Sequence, residues 1–174
     1  FDPIGQGERL QLLDAPRHGT TTHTLLGIGA LLVGVNTGNY RLWDGIRSLD
    51  YLASRPEVDP ERLGCTGNSG GGTMTTWLMA GDDRIGVAAP SCFVTSLERL
   101  LAVSPPPDAE QLWPRQGACG IEHSDFITMR APKPTRILAA ERDFFPFDGT
   151  QQAFREALDV YRVLGQPEKV DLFS

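Results

Sequence analysis

The sequence predicts an α/β fold, a mostly parallel sheet with helices on both faces. Three observations carry that reading. Short segments that read as strands, several introduced by Pro or Asp, recur along the chain at residues 61–66, 85–90, 135–140 and 168–174, the last of them alternating. Stretches of helical length separate several of them. Between the first run and its helix lies Gly67-Asn68-Ser69-Gly70-Gly71-Gly72, which matches G-x-S-x-G and places a serine on a tight strand-to-helix turn.

Taken in order, residues 1–36 are rich in loop formers, with an apolar run at 25–33 that is too short and glycine-broken to span a bilayer and reads as a helix or cap. His18 and His23 stand five apart among threonines, which is not a metal-ligand spacing on a helix, so a polar loop role is expected of both. His18-Gly19 offers only a faint likeness to the oxyanion loop of lipases, since no glycine run follows. Asn39 is the expected N-cap of a helix to about Ser54, with Leu42, Ile46, Leu49 and Ala53 as its apolar stripe and Arg41, Arg47 and Asp50 on its solvated side.

Asp59-Pro60 then launches the strand at 61–66, and a helix over 73–80 closes at Gly81-Asp82-Asp83. After the strand at 85–90, residues 93–131 read as an irregular insertion broken at Ser104-Pro105-Pro106-Pro107. Its His123-Ser124-Asp125 run holds three residue types of a hydrolytic triad, but consecutive residues cannot face one another as nucleophile, base and orienter, so it reads as the start of a short helix. Glu110 and Glu122 read as solvated loop charges. Past the strand at 135–140 come Glu141, Arg142 and Asp143, and Asp148 is the expected N-cap of a helix with stripe Phe154, Leu158, Tyr161 and Leu164, stopped by Gly165.

Composition narrows the function classes. A net charge of −6 with scattered Lys and Arg argues against nucleic acid or an anionic membrane as partner. Three cysteines, Cys65, Cys92 and Cys119, form no CxxC and no zinc pattern. Cys65 reads as a buried small hydrophobe, and Cys92 with Cys119 is a candidate disulfide in an oxidising compartment. No cofactor or metal is expected. Trp77 and Trp113 could stack on sugars, but packing roles are favoured.

In a parallel sheet the site forms beyond the carboxyl ends of the strands. Ser69 and Asp143 both fall there. Ser69 is the candidate nucleophile, Gly70 N–H a candidate oxyanion donor at a helix start, and Asp143 the candidate acid, with Glu141 and Asp148 as its competitors.

The chain resembles the alpha/beta-hydrolase superfamily, and more narrowly its acetylxylan-esterase-like branch. The residues that carry the resemblance are Asp2 to Arg9, Trp43 to Leu52, Arg55 to Arg62, the elbow, Ala89-Pro90-Ser91-Cys92 and Ala131-Pro132-Lys133-Pro134. It implies a partial domain over residues 1–174, from about the fourth strand to the eighth, truncated at both ends. It implies a serine esterase working through a Ser-Asp-His triad and an acyl-enzyme on a small-molecule or polysaccharide ester, with acetyl groups on plant polysaccharide the expected target. A bacterial, secreted or periplasmic protein is what the resemblance suggests, and the oligomeric state is open. The loop carrying the second oxyanion donor would precede Phe1. The catalytic histidine should follow the eighth strand, yet no histidine occurs after Asp143, so these residues alone are expected to be nearly inactive. A prolyl-oligopeptidase-type peptidase is the first alternative, although such enzymes usually carry an aromatic where this chain has Gly70. A hydrolase-fold protein without catalytic activity is the second.

Overall fold

A computed structural model of the chain describes residues 1–12, 14, 20–104 and 107–174. His18, Gly19, Pro105 and Pro106 lie outside the described residues. The centre is a four-stranded sheet in the order β1 (Leu63–Asn68), β2 (Ile85–Ser91), β3 (Thr135–Leu138), β4 (Val170–Phe173), and every neighbouring pair is parallel. Parallel neighbours need crossovers. These are α3 (Gly70–Gly81) between β1 and β2, α4 (Leu97–Val103) with α5 (His123–Thr128) between β2 and β3, and α6 (Phe147–Val163) between β3 and β4. Two helices, α1 (Thr20–Leu32) and α2 (Thr37–Ala53), precede the sheet.

Helices α2, α3, α5 and α6 touch in succession and form one layer. Leu49, Leu78, Met79, Ile127, Ala157 and Tyr161 carry its buried side onto Ile85, Ala88 and Ile137 of the strands. On the other face Gly64, Thr66, Val87 and Arg136 are exposed. Of the two covered faces expected, the described residues therefore cover one. The strand order supplies the reason. Each right-handed crossover that steps in the same direction across a parallel sheet lands its helix on the same face.

Several local expectations shift. The first strand begins at Leu63 because Glu61 and Arg62 are tied into the preceding turn by bonds of their N–H groups to Asp59. Helix α2 is capped by Asn36, not Asn39. The Asn36 side chain accepts from Gly38 N–H at 2.5 Å and donates to Ala109 O at 2.8 Å, so one residue caps the helix and anchors a distant loop. Helix α6 starts after Pro146, and Asp148 lies in its first turn. Its inner stripe is Ala153, Ala157 and Tyr161, with Phe154 and Leu158 half-buried beside it and Leu164 exposed. Gly165 ends it at φ +72.

The segment 93–131 is more than an irregular insertion. Phe93, Val94, Leu100 and Ile127 belong to the core, and two helices form within it. Within α5 the triad-like run points three ways: His123 Nδ1 accepts from Thr95 N–H, Ser124 donates to Glu156, and Asp125 accepts from Glu122 N–H. Glu122 is half-buried and accepts Leu97 N–H at 2.6 Å rather than being a solvated charge. All three cysteines are free, so the Cys92–Cys119 pair is not a disulfide here. Cys65 is half-buried, packs against the core, and burial pushes its thiol up to about 11. Trp77 is buried with its ring centroid 5.0 Å from that of Trp113, which is a packing role.

Candidate active site

The carboxyl ends of the strands are in register, Asn68 beside Ser91 and Ser91 beside Leu138. Each residue just past a strand donates its N–H to the last residue of the next strand. Ser69 N–H bonds Ser91 O at 2.8 Å, Cys92 N–H bonds Leu138 O at 2.9 Å, and Ala139 N–H bonds Phe173 O at 2.9 Å. This ladder fixes the rim on which the candidate residues sit.

Ser69 is held between β1 and α3 at φ 56 and ψ −114, a conformation that L-residues rarely adopt and that costs roughly 1–3 kcal/mol. Its carbonyl accepts Thr73 N–H at 2.9 Å, so its backbone is bound to the helix on one side and the sheet on the other. The side chain makes no capping bond and the residue is exposed. The hydroxyl is therefore presented at the rim and not absorbed into the helix start. Gly70, the first residue of α3, has one of the N–H groups that the helix leaves without an internal acceptor, which favours a developing anion.

Two glycines make the close approach possible. A Cβ at Gly67 would stand 2.6 Å from Gly71 O, and one at Gly72 would stand 2.3 Å from Ser91 O. At Gly70 and Gly71 the same atom would meet nothing within 4 Å. The steric need thus falls on Gly67 and Gly72, while the position after the serine has room for a side chain.

Asp143 lies beyond the end of β3, exposed, with Oδ1 accepting Phe144 N–H at 2.6 Å. Cys92, the residue just past β2, neighbours it. Burial first of all, and then the bond and charge of the neighbouring Asp143 carboxylate, raise the Cys92 thiol, against a lowering bond from Ser91. Cys92 is itself at φ 50, and Ser91 Oγ donates to Asn68 Oδ1 at 2.9 Å. Ser69, Ser91, Cys92 and Asp143 follow one another along the rim. From the sequence, Ser91 and Cys92 figure only in the Ala89-Pro90-Ser91-Cys92 resemblance and, for Cys92, in a candidate disulfide; their place at the end of a buried strand was the signal for a rim position.

The competitors for the acid differ. Asp148 receives two bonds from Arg99, at 2.9 and 2.6 Å, and that hydrogen-bonded guanidinium lowers its pKa. It ties α4 to α6. Glu141 is exposed after β3. No described histidine serves Ser69. His123 is buried against Phe93, with ring centroids 4.5 Å apart, and His23 is enclosed by Gln6, Asp108 and Glu110. His23 lies in α1, so the expected polar loop role does not hold for it. Beside Gly70 a cavity of about 690 Å³ opens between Asn68, Met74, Arg41 and the N-terminal Phe1 and Asp2.

An elbow of this kind on a parallel sheet defines a serine-hydrolase-type α/β-hydrolase fold. The profile of the prolyl oligopeptidase family matches residues 33–119, half of the chain and the part that carries Ser69, and the chain belongs to that family. It is 42% identical over 140 residues to YtaP of Bacillus subtilis (strain 168), a protein provisionally named a hydrolase, covering 75% of this chain and 44% of that one. Among solved structures it is similar to one provisionally named an acetyl xylan esterase from Bacteroides fragilis NCTC 9343, with a TM-score of 0.73 at 15% identity over 99% of this chain and 45% of the other. It is also similar to Methylesterase BT1017, with a TM-score of 0.65 at 26% identity over 99% of this chain and 35% of the other. The chain thus spans less than half the length of these relatives.

Proposed function

We propose that the protein is a serine hydrolase of carboxylic esters that works through an acyl-enzyme. The observation that carries this reading is the strained Ser69, bonded to Ser91 and to α3 with its hydroxyl unused by either. In the first step Ser69 Oγ attacks the ester carbonyl as its proton passes to a histidine base, and the alcohol leaves. Gly70 N–H stabilises the oxyanion, a contribution of about 3 kcal/mol for one such donor. Asp143 orients the base, and water then releases the acid. The expected base stands later in the chain than Asp143, and residues 144–174 contain no histidine. Loss of any one member of the triad would slow the reaction by roughly 10⁴- to 10⁶-fold.

The substrate class proposed is small acyl or alkyl esters, with acetyl groups on a polysaccharide the leading case; likeness to a provisionally named acetyl xylan esterase and to a methylesterase supports it. The family match favours a second reading, cleavage of prolyl amides. Assays of the full-length protein on a nitrophenyl acetate and on a prolyl nitroanilide separate the two. Acetate release that Ser69→Ala abolishes supports the esterase, and amide cleavage without ester preference overturns it.

A further inference from the structure

Away from the rim, three ligand-type side chains meet in the interior. His23 stands on α1, and Asp108 and Glu110 lie in and just before the 3₁₀ turn Ala109–Gln111. His23 is 4% exposed and Glu110 1%. His23 Nδ1 is 2.7 Å from Glu110 Oε1 and 3.4 Å from Asp108 Oδ2, and one donor atom from each residue lies within 4.8 Å of the others. Ligand atoms about a tetrahedral zinc, with bonds of about 2.0–2.2 Å, stand roughly 3.3–3.6 Å apart, a spacing that His23 and Asp108 already have and that the hydrogen-bonded His23–Glu110 pair reaches by opening. The geometry points to a site for a divalent transition-metal cation of the Zn²⁺ class, held by His23 Nδ1 and the carboxylates of Asp108 and Glu110.

Two further features support it. Glu110 Oε2 is buried without a hydrogen-bond partner, and an orphaned carboxylate oxygen in a closed interior calls for a ligand. The surroundings are those of an outer shell. Gln6 Nε2 lies 2.8 Å from the other ring nitrogen, Nε2; with a cation on Nδ1 that nitrogen carries the ring proton, and the Gln6 amide turns its oxygen to accept it, while Arg41 Nη1 donates to Glu110 Oε1 at 2.8 Å and Nη2 donates to Ile4 O. Arg41 cancels one of the two carboxylate charges, so one negative charge is left for His23 or a cation to meet. Asp108, 26% exposed at its side chain, gives the cation a way in. Bound there, the cation would staple α1 to the 3₁₀ turn beside α2. This site is independent of the esterase reading.

The test is metal binding by the purified full-length protein. After chelation and dialysis, titration with ZnCl₂ is followed by calorimetry and by metal content, with melting temperature as a second readout. The expected result is one zinc per chain, a higher melting temperature with zinc than with chelator, and binding at least tenfold weaker in Asp108→Asn and His23→Gln. Gln6→Ala, which touches no ligand oxygen, is expected to weaken binding by about 10- to 100-fold. Cys119→Ser is expected to bind as the parent does, which separates this site from adventitious thiol binding. Failure of the parent to bind zinc, or zinc binding by Asp108→Asn as tight as the parent's, overturns the proposal, because the cluster would then be an ion-pair network alone.

Discussion

The backbone N–H of Ser69 is bonded to the carbonyl of Ser91 at 2.8 Å, and that bond holds the serine at φ 56. The end of β2 thus sets the shape of the elbow at the end of β1. A residue kept in a rare backbone conformation carries strain that folding must offset elsewhere. Replacing Ser69 with Gly, which adopts φ > 0 freely, is expected to stabilise the protein by about 1 kcal/mol, read as a higher urea midpoint at unchanged slope.

The glycines around the serine are expected to divide. Gly72→Ala drives a Cβ into Ser91 O and should cost about 1–3 kcal/mol. Gly70→Ala places its methyl in open space at a helix start and should be neutral or slightly stabilising. Thermal melts of the two variants side by side check this.

Acid should weaken the fold through His123. Its site is fully buried, and burial lowers its pKa from 6.5 to about 4, against a raising backbone bond near Phe93. The neutral form is the one folded around Thr95 N–H. Above pH 6.5 the folded and unfolded states both hold it neutral, and its contribution is complete. As pH falls from 6.5 toward 4 the unfolded state takes up the proton first, so stability drops, by about 3 kcal/mol in all, and below 4 this group adds no further loss. Denaturant titrations across that window should show a shallower slope with pH in His123→Asn than in the parent.

Arg130 is expected to be a structural cation. Nη1 donates to Lys133 O, to Pro134 O at 2.7 Å and to Thr135 Oγ1, and Nη2 donates to Ile85 O at 3.1 Å, so one guanidinium joins the starts of β2 and β3. Arg130→Met keeps the volume but strips these acceptors of a buried donor, and should destabilise by about 2–3 kcal/mol in equilibrium unfolding.

What the sequence made legible was local. Pro, Gly and Asp punctuation located the strands and the elbow, because each is set by neighbours a few residues away. What escaped was long-range. Arg41 was expected on a solvated helix face and Glu110 in a solvated loop, yet they are buried as a pair 69 residues apart, bonded at 2.8 Å. Neither residue alone says that its partner will cover it. Asn36 outcompeted Asn39 as cap for the same kind of reason, since its amide also serves the carbonyls of Ala109 and Leu112. In the site, Ser69 and Asp143 could be named from their positions after strands, but that Ser91 and Cys92 stand between them on the rim is seen only when the strand ends are aligned.

Ser69 is expected to react as a nucleophile. The most direct measurement is treatment of the full-length protein with a fluorophosphonate probe, followed by mass spectrometry of the labelled peptide. A single adduct on Ser69 is expected, absent from Ser69→Ala and reduced in Asp143→Asn. A folded protein that takes up no label at Ser69, or takes it up at another residue, would contradict it.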